Sequence, residues 1–374
     1  MESFKGDAFH SSRWNYHVDL KDKKVGIIGT GATAVQIIPE IAKEVAELYV
    51  FQRTPSTIDV RDQRVTTEEE AQRWLNEPGW AVARRERLAT ISAGRTALKA
   101  NDDFLSGKID HVKAPKVHAT QLPPEELIAR QLNTNFRIME QIRGRVDAVV
   151  DDPEVAELLK PYYSYGCKRP TFHDQYLPSF NRPNVHLINT APAGVSKINE
   201  TGVVHNGIEY PVDALIYATG FQWMGTSTFN MVTGPCGRTL NSKWKEEGTK
   251  TFLGMHSAGF PNLLIMTGPQ GGGGQFNFTR VCEMHATYVT WMLTEMRDRG
   301  VETVDVKKEF EDEYADHCRE MDLLSQPLRD CYSYYNGDGS AEPGSLAYYG
   351  GGDRWHERRK AAQASLDPYI FKMQ

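Results

Sequence analysis

Hydrophobic residues along the chain are grouped in short continuous runs that are separated by polar turns. Short apolar runs bounded by Gly, Asn or Pro are typical of strands buried in a parallel sheet. We therefore predict strands at residues 24–28, 48–52, 184–188, 202–205, 214–217 and 262–267. Because helical segments alternate with these strands, the pattern predicts an α/β fold of the Rossmann type.

The pattern changes between residues 65 and 159, where charged, helix-favouring stretches replace the apolar runs. One helix is predicted over residues 125–146, whose apolar positions form roughly one stripe, and others at 67–75 and 278–297. Because strands of the same type resume afterwards, we interpret residues 65–165 as a helical insertion into the α/β domain. A free-standing helical domain is the alternative interpretation.

A glycine-rich turn joins the first predicted strand to a helix, with the pattern Gly29-x-Gly31-x-x-Ala34. In dinucleotide-binding folds the first glycine allows the turn, the second lets a pyrophosphate approach the backbone, and the third small residue packs helix on sheet. The helix N-terminus then offers N–H groups to the phosphates. The residues predicted to bind a pyrophosphate are Gly29, Thr30, Gly31, Ala32 and Thr33. The alternative is an ordinary strand–turn–helix.

A basic residue stands at the end of the second predicted strand, where NAD-binding proteins keep an acid. Arg53 occupies this position and is followed by Thr54. A guanidinium group can bind a 2′-phosphate through two parallel hydrogen bonds, whereas an acid would bind the two ribose hydroxyls. The sequence therefore favours NADP over NAD, unless Arg53 is simply a surface arginine.

Composition narrows the class of protein. The chain has 374 residues, of which 40% are hydrophobic and 25% charged, which is normal for a globular enzyme of two or three domains. A net charge of −6 without any basic block argues against nucleic-acid binding. No apolar run reaches membrane-spanning length and no signal peptide is evident, so we expect a cytoplasmic protein. Its five scattered cysteines, without Cys-x-x-Cys, predict reduced thiols and no metal site.

Several motifs in order resemble one enzyme family. Phe4-x-Gly6-x-x-x-His10-x-x-x-Trp14 resembles the fingerprint of Baeyer–Villiger monooxygenases, flavin enzymes that insert oxygen beside a ketone. Further segments that follow the family pattern are 51–55 (FQRTP), 166–170 (GCKRP), 180–185 (FNRPNV), 218–221 (ATGF), 259–263 (GFPNL) and 268–270 (GPQ). The resemblance covers nearly the whole chain except parts of the insertion and about the last forty residues.

The resemblance implies a domain organisation. Residues 1–23 would be a linker that carries the signature, and residues 24–64 with 166–217 a Rossmann-like NADP-binding domain. The helical insertion would cover 65–165, and 218–374 would be the C-terminal part of an FAD-type Rossmann domain. Family members begin with an FAD-binding half that has its own glycine-rich fingerprint. Because Met1 lies three residues before Phe4, we expect that half to be absent.

The resemblance also implies roles for two adjacent cations. Lys168 would join Arg53 and Thr54 around the NADP phosphate, and Arg169 would be the catalytic residue that stabilises the anionic oxygen species attacking the ketone. Asp174 would either influence the pKa of Arg169 or cap a helix. The alternative for the Lys168-Arg169 pair is a solvated loop.

Two other segments acquire expected roles in the same way. The turn formed by Ala218, Thr219 and Gly220 would bring its backbone close to the flavin, and segment 268–270 would lie against the flavin ring. His10 would support a hinge between domains. The family's Ser-Pro loop is replaced here by Gly271–Gly274, which places ordered flavin contacts in doubt.

Three functions remain open at this stage. The first is a Baeyer–Villiger monooxygenase that uses NADP and FAD to oxidise a small-molecule ketone, if flavin is supplied. The second is an NADPH-dependent carbonyl reductase in which Arg169 polarises the carbonyl oxygen without flavin. The third is a non-catalytic NADP-binding protein. Self-association, or a partner that covers the exposed second domain, is expected for the shortened chain.

Overall fold

The computed structural model describes residues 3–84, 123–221, 227–271, 278–323, 331–333, 347–348 and 352–373. The chain divides into two compact units. The described residues of the first unit are 3–76 and 131–221. The second unit holds 77–84, 123–130 and the described residues from 227 onward. Residues 85–122 of the predicted insertion and 272–274 of the glycine-rich loop lie outside the described residues.

A five-stranded parallel sheet forms the centre of the first unit, in the order β1-β10-β2-β3-β6. Strands up to residue 217 are β1 (Asp7–His10), β2 (Lys24–Ile28), β3 (Glu47–Gln52), β4 (Ile58–Asp59), β5 (Thr171–Phe172), β6 (Val185–Asn189), β7 (Lys197–Ile198), β8 (Gly202–His205), β9 (Ile208–Pro211) and β10 (Ala214–Tyr217). β4 and β5 pair in parallel, and β7, β8 and β9 form a separate antiparallel sheet. This arrangement confirms the predicted α/β fold.

Several helices contribute buried side chains to the core beside this sheet. The helices up to residue 179 are α1 (Ala32–Ile41), α2 (Glu68–Leu75), α3 (Pro124–Val149), α4 (Pro153–Leu159) and α5 (Tyr176–Ser179), and a 3-10 turn covers Ser11–Arg13. The core joins apolar side chains of the central strands to the inner faces of α1 and α5. Ala34 and Ile38 of α1 are completely buried against it, because their spacing of four places both on one helix face.

The second unit is mainly helical. Its elements are α6 (Ser227–Met231), α7 (Leu240–Glu247), α8 (Phe278–Arg299), β11 (Thr303–Val306), α9 (Lys308–Leu323), α10 (Gly352–Ser365) and β12 (Tyr369–Lys372). β11 and β12 pair antiparallel. An aromatic-rich core that includes Tyr288, Tyr314 and Trp355 lies among them. Among the described residues, no helix is both long and apolar enough to span a membrane.

The structure corrects two sequence-based predictions and, among the described residues, adds seven strands that the sequence did not predict: β1, β4, β5, β7, β9, β11 and β12. Residues 262–267 do not form a strand, because Asn262 and Thr267 have positive φ angles of 59° and 57° that no strand accommodates. The prediction of five reduced thiols is wrong for Cys167 and Cys331, which are disulfide-bonded, because the scattered spacing of the cysteines carries no signal of a disulfide. β1 lies inside the predicted linker and was not predicted.

Candidate functional site

The turn after β2 has the backbone conformation that its glycines permit. Gly29 has a φ of 106° and its N–H donates to the carbonyl oxygen of Phe51 at 3.0 Å. A Cβ atom at this position would lie only 2.4 Å from the carbonyl oxygen of Ala218. A side chain at position 29 is therefore excluded both by the backbone conformation and by the close contact with Ala218, the residue that follows β10.

The first turn of the following helix, α1, has open space beside it and backbone N–H groups that have no partner within the helix. Gly31 is the N-cap of α1 and supplies no side-chain cap hydrogen bond, and no cap from another described side chain is seen at this helix end. A Cβ atom on Gly31 would meet nothing within 4 Å, and both Gly31 and Thr33 are exposed. The first turn of α1 carries no acidic residue. This end of α1 can therefore accept an anionic group at its backbone N–H groups, which is the geometry that a pyrophosphate requires.

Two side-chain hydrogen bonds tie this turn to the segment after β3. The hydroxyl of Thr30 donates to the carbonyl oxygen of Thr54 at 2.8 Å, and the hydroxyl of Ser56 donates to the carbonyl oxygen of Thr30 at 2.6 Å. Arg53 is exposed beside this link, with its Cδ 4.0 Å from where a Cβ on Gly194 would lie. The structure thus brings the predicted pyrophosphate turn and the predicted phosphate-binding arginine together.

Lys168 and Arg169 lie on the loop before β5. Lys168 is half-buried, with its Nζ 5.7 Å from the ring centre of Tyr163, and Arg169 is exposed. β5 pairs with β4, since Thr171 lies opposite Ile58, and the Thr171 N–H donates to the carbonyl oxygen of Thr57 at 3.2 Å. The loop that carries both cations is therefore joined to the segment that follows Arg53.

Asp174 does not cap a described helix, because Gln175 is the N-cap of α5, and its carboxylate contacts the loop after β4 instead. Its carboxylate accepts three backbone N–H bonds, from Arg61 at 2.9 Å, Asp62 at 3.2 Å and Gln63 at 3.1 Å. Burial alone would raise the pKa of Asp174, but these donors outweigh it and the pKa lies below its ordinary value. Asp174 therefore holds the loop after β4 as an ionised group.

The end of β10 lies beside the glycine turn. Ala218 is buried and its N–H donates to the carbonyl oxygen of Ile28 at 2.9 Å, while Thr219 and Gly220 are exposed. Gly220 has a φ of 85°, and its carbonyl oxygen lies 3.2 Å from Nε2 of His10. Because Nδ1 of His10 accepts the Ser12 N–H, Nε2 is the nitrogen that donates to Gly220.

The predicted flavin-facing segment 268–270 belongs to the second unit, where a buried imidazole holds it. Nδ1 of His285 accepts the N–H of Thr267 at 3.0 Å, and Nε2 donates to the carbonyl oxygen of Gly271 at 3.1 Å. Burial lowers the pKa of His285 to about 4, so the ring is neutral and its two nitrogens keep opposite roles. The hydroxyl of Tyr314 also donates to the carbonyl oxygen of Gln270 at 2.9 Å.

Sequence reasoning missed two residues that organise the first-unit site, Ser56 and Tyr163. Ser56 stands one residue beyond the FQRTP motif and carries no signal of its own. Tyr163 is buried, and its hydroxyl donates to the carbonyl oxygen of Pro55 at 2.9 Å across 108 residues of sequence. A buried aromatic residue is usually packing, so nothing in the pattern distinguishes it.

Comparison with known proteins identifies several relatives of this chain. No family model matches the chain. Ketocytochalasin monooxygenase of Aspergillus clavatus is 39% identical over 93% of the chain, a Baeyer–Villiger monooxygenase of Streptomyces coelicolor 36% over 99%, and pentalenolactone D synthase of Streptomyces exfoliatus 34% over 98%. The chain spans 58%, 64% and 67% of the lengths of these three relatives.

Solved structures show the same likeness in three dimensions. A polycyclic ketone monooxygenase from the thermophilic fungus Thermothelomyces thermophila matches the whole chain with a TM-score of 0.88 and 30% identity, and the chain covers 65% of it. The enzyme OTEMO in complex with FAD and NADP matches 99% of the chain with a TM-score of 0.80 and 26% identity. The chain covers 71% of that protein.

Proposed function

Because the chain belongs to the Baeyer–Villiger monooxygenase family, we propose that it acts in the NADPH- and FAD-dependent insertion of oxygen next to the carbonyl of a small-molecule ketone. The observation that carries this proposal is the hydrogen-bonded link from Thr30 to Thr54. It holds a helix end suited to a pyrophosphate beside Arg53, a cation suited to a 2′-phosphate.

The residues around this link fit NADP. The backbone from Gly29 to Thr33 would hold the pyrophosphate, since Gly31 leaves open space at an uncapped helix end. Arg53 and Lys168 would hold the 2′-phosphate, with Thr54 beside them. Arg53 makes no hydrogen bond or ion pair with any residue that the structure describes, so its five N–H donors are available to a ligand.

The family likeness supports FAD as the second cofactor, and the solved relative OTEMO contains FAD together with NADP. When bound, the flavin would supply the electron transfer from NADPH to oxygen. The chain's own contribution would be a fixed cation and an ordered backbone. Arg169 would contribute the positive charge of a guanidinium group and would stabilise negative charge that develops on the reacting oxygen atoms. The exposed backbone of Thr219 and Gly220 would approach the flavin.

We also propose the domain assignment that the sequence suggests. Residues 24–64 and 166–217 would form the NADP-binding domain, interrupted by the insertion at 65–165. Residues 218–374 would belong to the FAD-type domain. Limited proteolysis followed by mass spectrometry tests this assignment, because cleavage should concentrate near the proposed boundaries and should decrease near 24–64 when NADPH is added.

The NADP site is tested by Arg53→Ala. Removing the guanidinium should weaken NADPH binding by about 10- to 100-fold, the usual value of one or two charge-assisted hydrogen bonds, and change NADH binding by less than about two-fold. Calorimetric titration measures both. Arg137→Ala, which removes an exposed arginine from α3, is the control and should leave both affinities unchanged. Equal losses for NADPH and NADH would contradict the phosphate role of Arg53.

The flavin step is tested by adding FAD, NADPH, oxygen and a panel of ketones to the purified chain. Mass spectrometry should detect an ester or lactone one oxygen atom heavier than the ketone, and Arg169→Lys should reduce its formation. If NADPH is instead consumed with a ketone under anaerobic, flavin-free conditions and an alcohol forms, the chain is a carbonyl reductase and the oxygenase proposal fails.

A further inference from the structure

Tyr163 joins two segments that carry the cations of the proposed NADP site. Its side chain is only 7% exposed, and its hydroxyl donates to the carbonyl oxygen of Pro55 at 2.9 Å. Burial raises the pKa of this phenol, so the hydroxyl stays protonated and remains a donor. Pro55 stands two residues after Arg53, so this hydrogen bond restrains the backbone on which Arg53 is carried.

The ring of Tyr163 contacts the other cation. The Nζ atom of Lys168 lies 5.7 Å from its centre, within the range of a cation–π interaction. Such contacts contribute about 0.5–2 kcal/mol, the larger values where water is excluded. Lys168 is half-buried and the ring is buried, so the contact helps to restrain the Lys168 side chain.

The backbone between these contacts is also fixed. The hydroxyl of Thr171 donates to the carbonyl oxygen of Thr57 at 2.5 Å, and the N–H of His173 donates to the carbonyl oxygen of Asp59 at 2.9 Å. Together with the parallel pairing of β4 and β5, these bonds hold the chain after Arg53 against the chain after Lys168. Tyr163 contacts both sides of this joined structure.

We propose that Tyr163 is a positioning residue for NADP recognition, which holds Arg53 through Pro55 and Lys168 through its ring so that both cations meet one 2′-phosphate. The inference rests on the NADP site of the proposed function. Tyr163 acts through the two cations and needs no contact with the cofactor. Because NAD lacks the 2′-phosphate, Tyr163 should determine the preference between the two nucleotides and leave the binding of their shared part unchanged.

The test uses two small probes that differ only in the 2′-phosphate, 2′,5′-ADP and 5′-AMP, titrated calorimetrically into the purified chain without flavin. Tyr163→Phe keeps the ring and removes the hydrogen bond to Pro55. Its affinity for 2′,5′-ADP should fall about three- to five-fold. Tyr163→Leu also removes the cation–π contact, and the loss should reach about ten-fold or more. The affinity of both variants for 5′-AMP should change by less than about two-fold.

The neighbouring tyrosine provides a matched control. The hydroxyl of Tyr162 donates to Glu157, and the guanidinium of Arg143 lies 5.2 Å from its ring centre. Tyr162 therefore makes the same two kinds of contact, but to residues outside the proposed site. Tyr162→Phe and Tyr162→Leu should leave the affinities for both probes at the wild-type values.

The Lys168→Met variant distinguishes a positioning role of Tyr163 from a general effect of the Tyr163 substitutions on protein stability. Two double variants are compared, Lys168→Met with Tyr163→Phe and Lys168→Met with Tyr163→Leu. If the ring acts through Lys168, both should bind 2′,5′-ADP with the same affinity. Equal losses for both probes, or no loss for either, would overturn the inference. Should Tyr163→Leu not fold, the result with Tyr163→Phe decides. A wild-type chain that binds both probes equally would refute the NADP site itself, which is a different outcome from a failure at Tyr163.

Discussion

The hydroxyl of Thr30 donates a 2.8 Å hydrogen bond to the carbonyl oxygen of Thr54, from the glycine turn to the residue next to Arg53. Thr30 is 4% exposed, so water cannot replace this donor readily. Thr30→Val keeps the shape and removes the donor, and we expect it to weaken NADPH binding about five-fold, as loss of about 1 kcal/mol implies. Thr30→Ser should restore most of the affinity in the same titration. If valine and serine variants bind equally, the link does not align the site.

Asp174 supplies the acceptors for three consecutive backbone N–H groups, those of residues 61–63. Asp174→Ala leaves all three without this partner, and we expect their amide hydrogens to exchange about ten-fold faster or more. Asp174→Asn keeps one acceptor oxygen and should have a smaller effect. Hydrogen exchange with mass spectrometry measures both. Asp151→Ala, at an exposed position after α3, is the control. Unchanged exchange in Asp174→Ala would show that the loop is held by other contacts.

Lys243 and Glu311 form a buried ion pair in the second unit, with 2.7 Å between Nζ and Oε2. Ser257 and Ala258 complete the hydrogen bonds of the pair. Lys243→Met leaves a carboxylate buried without its cation, and we expect the free energy of unfolding to fall by about 3–5 kcal/mol.

The double variant Lys243→Met with Glu311→Leu should recover most of this loss, because no charge remains buried. Hydrogen exchange of the peptide from residues 308 to 323 reports the stability of α9 directly. Lys245→Met removes an exposed lysine from α7, the helix that carries Lys243, and should leave the exchange of α9 unchanged. A double variant as unstable as Lys243→Met would mean that packing, and not the unpaired charge, causes the loss.

Stability of the second unit should decrease with acidification. Burial lowers the pKa of both His256 and His285 to about 4, whereas an unfolded histidine has a pKa of about 6.5. Between these values the unfolded chain binds protons that the folded chain does not, so this stabilisation is complete above about pH 6.5 and decreases as the pH falls toward 4. Each histidine contributes at most about 3 kcal/mol.

The corresponding measurement is hydrogen exchange of α8 at pH 7 and pH 5, after correction for the intrinsic pH dependence of exchange. His285→Gln should show a smaller difference between the two pH values than the wild type, because one of the two groups is gone. His17→Gln, at an exposed position of the first unit, is the control. An identical difference in His285→Gln would refute the linkage to His285.

The sequence predicts the central sheet better than the rest of the fold. β2 and β10 were predicted with their observed bounds, because strands buried on both faces are continuous apolar runs. β1 (DAFH) has no such run and was missed. The apolar run around Leu263 and Leu264 predicts a strand, but the structure has an irregular segment there with positive φ at Asn262 and Thr267, in which both leucines are only partly buried.

The sequence likewise indicates some residues of the candidate site and not others. The sequence singles out the glycine turn and Arg53 as a proposed nucleotide site, because a pyrophosphate and a 2′-phosphate require particular residue types at fixed spacing. It does not single out Tyr163 and Ser56, because their contacts depend on where the folded chain brings distant backbone carbonyls. Tyr163 and Pro55 lie 108 positions apart in the sequence, so no local pattern links them.

The close approach of Gly29 to the carbonyl oxygen of Ala218 has a practical consequence for engineering this protein. The turn proposed for NADP packs directly against the strand end that is proposed to approach the flavin. A displacement of either segment should therefore move the other. Mutagenesis aimed at nucleotide binding should therefore leave position 29 as glycine and vary 30–33 together with 218–220 in one combined library. Screening each segment alone would discard pairs of substitutions that are compatible only with each other.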